Sequence, residues 1–69
     1  MSQEIRLKIA NKVKSLRVSN NLTKEELSLK LGFDNSYISK LELGNINITI
    51  DRLTLIADYF NEPLSSFVN

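Results

Sequence analysis

The stretch LTKEELSLKLGFDNSYISKLELG, Leu22–Gly44, decides how the rest of the 69-residue chain is read. Near its start, Thr23-Lys24-Glu25-Glu26 has the spacing of a capping box. In that arrangement the Thr23 hydroxyl accepts from the N–H of Glu26, whose carboxylate returns to the N–H of Thr23. Leu22 and Leu27 stand where a hydrophobic staple places its two members. The helix so begun stops at Gly32, because glycine adopts the left-handed conformation of a helix end without steric cost. Asp34 is placed to cap the next helix, which runs to about Leu43 and is closed by Gly44. Ile38 and Leu41 form its apolar face, with Tyr37 beside them.

Working outward, Ile5, Ile9, Val13 and Leu16 recur at helical spacing between Ser2 and Asn20, with lysines on the opposite side. Asn20-Asn21 ends that pattern, since Asn tolerates the left-handed region. Downstream, Asn45 to Ile48 reads as a loop, and Thr49 caps a fourth helix with Ile50, Leu53, Ile56, Ala57 and Phe60 on one face. Asn61-Glu62-Pro63 ends it, and Pro63 suits the first turn of a short fifth helix over Leu64 to Val68. Short connections between short helices predict one compact all-α domain over residues 1–69. No repeat or linker divides it.

Lys24 to Leu43 meets the requirements of a helix-turn-helix. Ser28 is the small residue where the helices approach, and Gly32 makes the turn. Leu27, Leu31 and Phe33 lock the first helix, Ile38 and Leu41 the second. An ordinary αα-hairpin with a glycine turn satisfies the same spacing, so geometry alone leaves both open.

Composition narrows the function. There is no Cys and no His, which excludes a disulfide scaffold, thiol or imidazole metal sites, and the usual general base. No clustered carboxylates stand in for them, so neither a metal nor a cofactor is expected, and the chain reads as a binding module, not an enzyme. No apolar run approaches the roughly 20 residues of a membrane span, and the start, Met-Ser-Gln-Glu, lacks a signal-peptide pattern. A cytoplasmic protein without a membrane partner is expected. The net charge of +1 is unevenly spread: residues 1–44 carry eight cations against five acids, a net +3, and residues 45–69 carry −2. One end suits a polyanion and the other something else, although a solvated basic helix accounts for the lysines equally.

The string Leu22-Thr23-Lys24-Glu25-Glu26-Leu27, Leu31-Gly32-Phe33, Ser36-Tyr37-Ile38-Ser39-Lys40-Leu41-Glu42 and Gly44 resembles the phage-repressor/Cro-type (Xre) helix-turn-helix family. Ile48-Thr49-Ile50-Asp51-Arg52-Leu53 with Ile56-Ala57 resembles that family's fourth helix. The likeness runs from about Ile5 to Phe67, and the small size is similar to the controller proteins of restriction–modification systems. The resemblance implies a compact five-helix, lambda-repressor-like DNA-binding domain, with the helix-turn-helix at about 24–43 and a fourth helix and dimerisation region at 49–69.

On that resemblance the third helix enters the major groove and its N-terminal residues Asn35, Ser36, Ser39 and Lys40 face base edges. Asn35 suits adenine, Lys40 suits guanine, and the serines accept or donate. The plainer alternative for Asn35 and Ser36, given less weight, is first-turn polarity behind the Asp34 cap. The usual Arg and Gln readers are missing, which leaves weight on phosphates and DNA shape. Phosphate contacts are expected from Thr23 and Lys24, from Asn45 and Asn47, and from Tyr37, for which core packing is an equal explanation. Lys24 stands where the family often has Gln. Arg17 and Glu42 match the family's structural ion pair.

The implied activity is sequence-specific transcription regulation by a homodimer on a short pseudopalindromic operator of double-stranded DNA, autoregulatory or controlling a restriction–modification system, in the cytoplasm at the nucleoid. Leu55, Tyr59, Phe60, Leu64, Phe67 and Val68 are the candidate dimer interface, closure of the monomer core being the alternative. RNA polymerase is a further partner of such regulators. An antitoxin binding a toxin partner and its own operator, or a protein-interaction module without DNA, are the competing readings.

Overall fold

A computed structural model describes residues 2–69; Met1, the first residue of the expected domain, lies outside the described residues. Four α-helices follow in order, α1 (Gln3–Ser19), α2 (Lys24–Lys30), α3 (Tyr37–Glu42) and α4 (Ile50–Tyr59), then a 3₁₀ turn over Leu64–Phe67. The all-α class expected from the sequence holds. The fifth element is a single 3₁₀ turn, and Pro63 precedes it in extended conformation, outside the first turn expected for it.

Each helix starts and stops for a chemical reason. Ser2, Thr23 and Thr49 place side-chain oxygens on the N–H groups of Ile5, Glu26 and Arg52, three residues on. The capping box at Thr23 is complete: Glu26 Oε1 accepts from the Thr23 N–H at 2.8 Å.

All four helices end alike. The residue after the C-cap lies in the left-handed region: Asn21 and Asn61 at φ 57°, Gly32 at 77° and Gly44 at 78°. Paired backbone hydrogen bonds then close each terminus. At α2, Phe33 N–H donates to Ser28 and Gly32 N–H to Leu29; at α3, Asn45 donates to Lys40 and Gly44 to Leu41. A Cβ at Gly44 would stand 3.0 Å from Leu7 Cδ2, the flexible end of an exposed side chain, so the positive φ is what favours glycine there.

The core gathers Ile9 and Val13 from α1, Leu27 from α2, Ile38 and Leu41 from α3, Leu53, Ile56 and Ala57 from α4, with Ile48 and Phe67. Burying a large aliphatic or aromatic side chain contributes about 1.5–3 kcal/mol, and this set holds the short helices against their conformational entropy. α3 packs on both α1 and α2, while the 3₁₀ turn packs on α1 and α4. Ile5 and Ile50, expected on buried faces, are exposed at 37% and 67%, because each lies at the open first turn of its helix. Lys12 and Glu62 pair at 3.5 Å across α1 and the C-terminal segment.

Candidate nucleic-acid interface

α2 and α3 meet at Ser28. The absence of a large side chain lets them approach, and Ser28 is completely buried. Its hydroxyl donates to Lys24 O at 2.9 Å and accepts from the Ile38 N–H at 3.0 Å. Ile38 stands in the first turn of α3, where an intrahelical acceptor is lacking. Ser28 therefore caps the third helix from the second. Sequence reading assigned Ser28 only its smallness, because a bond across ten residues leaves no local pattern.

α3 begins later than expected. Its N-cap is Ser36, without a side-chain cap bond, so Asn35 and Ser36 lie in the turn before Tyr37. Asp34 does not cap the helix directly. Its carbonyl accepts from the Tyr37 N–H, and its carboxylate accepts from both the hydroxyl and the N–H of Ser36. Those two Ser36 bonds, the hydroxyl first, hold the Asp34 carboxyl below the ordinary carboxylate range. Asn35 and Lys40 are exposed, and Ser36 and Ser39 half-buried.

The far end of α3 is gripped from α1. Arg17 is 8% exposed, and its guanidinium forks onto Glu42, Nε to Oε2 at 2.7 Å and Nη2 to Oε1 at 3.1 Å. Nη1 donates to Leu22 O at 2.7 Å. The bonding to Glu42, with that residue's charge behind it, raises the Arg17 pKa against the opposing effect of burial. The fork satisfies the geometric demand under which a buried ion pair is tolerated.

Arg17 also lines a shallow groove with Val18, Asn21, Leu22, Thr23, Lys24 and Glu25, which brings Thr23 and Lys24 beside α1. The capping box occupies the N–H groups of Thr23 and Glu26, leaving those of Lys24 and Glu25 without an intrahelical acceptor. Asn45 and Asn47 are exposed in the loop after α3.

Tyr37 is half-buried against the core, its ring 4.7 Å from that of Phe33. The guanidinium of Arg52, on α4, lies 4.8 Å from the Tyr37 centroid and 5.1 Å from that of Phe33. A cation held so over two rings joins α4 to the start of α3. Nothing in the spacing of Phe33, Tyr37 and Arg52 advertises this stack.

On α4 and the C-terminal segment Leu55, Tyr59, Leu64 and Val68 remain 39–49% exposed, and Phe60 is half-buried with its ring edge-on to Tyr59 at 5.1 Å. Phe67 corrects the expected interface: at 1% exposed it belongs to the core, because the 3₁₀ turn directs it between α1 and α4. Among the described residues no three His, Cys, Asp or Glu are grouped as a metal site, and no helix is long and apolar enough to cross a membrane.

A family model described as helix-turn-helix matches residues 13–67. Control protein C.BamHI of Bacillus amyloliquefaciens is 33% identical over 58 residues, spanning 83% of this chain and 72% of that protein. The crystal structure of a hypothetical transcription factor, NHTF, from Neisseria superposes with a TM-score of 0.88 over 100% of this chain and 80% of its own, at 21% identity. At that identity the likeness speaks for the fold.

Proposed function

The chain belongs to the Xre-type helix-turn-helix family of DNA-binding transcription regulators, and from that premise we propose that it acts as a homodimer on a short pseudopalindromic operator. α3 lies in the major groove. Asn35, Ser36, Ser39 and Lys40 face base edges, while Thr23, Lys24, Tyr37, Asn45 and Asn47 contact phosphates on either side. Arg17 and Glu42 hold the reading helix from beneath.

The observation that carries this reading is the fixation of α3 at both ends, by Ser28 and by Arg17, with Asn35 and Lys40 exposed and Ser36 and Ser39 half-buried beside them. A reader needs its contact groups held in place before DNA arrives, so that little ordering is left to oppose binding. One module of this size buries only about 600–1,000 Å² on DNA. Pairing through Leu55, Tyr59, Leu64 and Val68, with Phe60 behind them, supplies a second reader about one helical turn away. An isologous interface of this kind makes the operator palindromic. The name of the Bacillus relative supports a control function, and we extend this to regulation of the chain's own gene or of a restriction–modification system. Such a regulator works at the nucleoid, in the cytoplasm.

Gel-shift titration against selected DNA at several salt concentrations, with the mass of the complex measured, tests the proposal. Specific binding as a dimer is expected, with affinity falling steeply as salt rises. Lys24→Ala is expected to reduce the salt slope by about one for each phosphate that Lys24 neutralises. A complex with one copy, or affinity equal on all sequences, would refute it.

A further inference from the structure

The hydroxyl of Ser36 is already committed. It donates its hydrogen to Asp34 Oδ2, and the Ser36 N–H donates to the same oxygen at 3.3 Å. A serine hydroxyl has one hydrogen and two acceptor lone pairs, so only lone pairs remain for anything that approaches. The partner cannot reverse this. Asp34 is held ionised by the two Ser36 bonds, with a lesser pull from Lys40, and a carboxylate has no hydrogen to return.

A free serine at a base edge accepts or donates and so discriminates little. Fixed as an acceptor, it meets the four bases unequally. Adenine N6 and cytosine N4 present amino hydrogens to the major groove, whereas guanine O6 and thymine O4 present lone pairs. An amino group completes a hydrogen bond with Ser36. A keto oxygen faces lone pairs with lone pairs, at a site where both have surrendered water. Asp34 reinforces the sign, since a fixed negative charge one step behind favours the base edge that carries partial positive charge.

We propose that Asp34 is a specificity-determining positioning residue: by holding the Ser36 hydroxyl as a pure acceptor, it restricts the base facing Ser36 to adenine or cytosine. The inference rests on the groove-facing role given to α3 above. One matched hydrogen bond against one unmatched acceptor corresponds to a preference of about five- to tenfold.

Binding-site selection from random duplex DNA tests this with the full chain and with Ser36→Ala, Asp34→Ala and Asp34→Asn, cooperative melting being checked for each. The chain is expected to enrich adenine or cytosine at one position of each half-site, and Ser36→Ala to relax that position alone. Asp34→Ala frees the hydroxyl to rotate and donate, so guanine and thymine enter there and the preference drops below about twofold. Asp34→Asn keeps an accepting oxygen but adds amide hydrogens that can turn to the hydroxyl, so only part of the preference is expected to remain. A separate measurement needs no Asp34 variant: where the selected base is adenine, replacing it by purine, which lacks the amino group, lowers affinity about five- to tenfold for the chain and leaves Ser36→Ala unchanged. Where it is cytosine, the 4-deamino analogue serves.

Guanine or thymine at the Ser36-dependent position overturns the inference. So does a preference that survives Asp34→Ala or Ser36→Ala, or indifference to the missing amino group. In each of these cases DNA reading stands. The absence of any enriched site with the unaltered chain overturns the DNA reading itself, and the inference with it.

Discussion

α2 and α3 are the two helices of one motif, and they are made in opposite ways. α2 supplies its own start: Thr23 and Glu26 satisfy each other within four residues of chain. α3 has six residues and an N-cap whose side chain makes no bond to the helix's own N–H groups. Its first turn is capped by Ser28 of α2, and its last is held by Arg17 of α1. A helix so short is unstable alone in water, because one or two turns do not offset the cost of nucleation. The supporting helix is a local product of its sequence. The third helix is a tertiary product, and its position is as exact as the neighbours that hold it.

The comparison breaks most readily at Glu42. Glu42→Ala leaves Arg17 charged and buried without its partner, and a loss of about 3–5 kcal/mol is expected in urea unfolding. A domain of this size has a net stability of only about 3–10 kcal/mol, so the variant stands near the unfolding threshold. Arg17→Lys is expected to restore little, because an ammonium cannot make the two-pronged contact.

Ser28→Ala comes next. It strands the Ile38 N–H in the interior, and a cost of about 1–3 kcal/mol is expected, with faster hydrogen exchange at Ile38 than in α2. Thr23→Ala sharpens the contrast from the other side: about 1 kcal/mol, recovered by Thr23→Ser, with exchange accelerated first in α2. A larger cost at Thr23 than at Ser28 would reverse the comparison. Lys12→Ala, which removes the part-exposed pair with Glu62, is expected to change stability by less than about 1 kcal/mol.

The smallest effect is a pH dependence confined to the start of α2. The Thr23 N–H, then its hydroxyl, holds the Glu26 carboxyl below its ordinary value. A depressed carboxyl contributes stability above its unfolded pKa and loses it as pH falls through the lower folded value. Glu26→Gln is therefore expected to flatten the acid limb of the melting-temperature profile slightly and leave the neutral region unchanged.

What was legible in the sequence follows the same division. Caps at Thr23 and Thr49, the stops at Asn21, Gly32 and Gly44, and the core positions Ile9, Val13, Leu27 and Ile38 rest on residues close in sequence or on helical period. Ser28 as a cap, and Arg52 over Phe33 and Tyr37, depend on groups that meet only after folding. Asp34 was legible as a hydrogen-bonding residue, yet its carboxylate serves Ser36, and that delays the start of α3 to Tyr37. Phe67 and Ile50 were misplaced for a related reason. Hydrophobicity says that a side chain prefers to be covered, whereas the geometry of a chain end decides whether anything covers it: Phe67 turns inward and Ile50 does not.

Arg52 gives the molecule a mechanical property. α4 carries Leu55 and Tyr59 on its exposed side, and its Arg52 rests on the rings at the root of α3. In a pair formed through α4, this stack is a joint between the hinge plate and the pointer. A cation over aromatic rings at an exposed site contributes only about 0.5–1 kcal/mol, so the joint is sprung and not welded. Two such pointers form a caliper with a set span and a little give. On the proposed reading, such a caliper is expected to accept operators whose half-sites are slightly over- or undertwisted and to reject those displaced by a whole base pair.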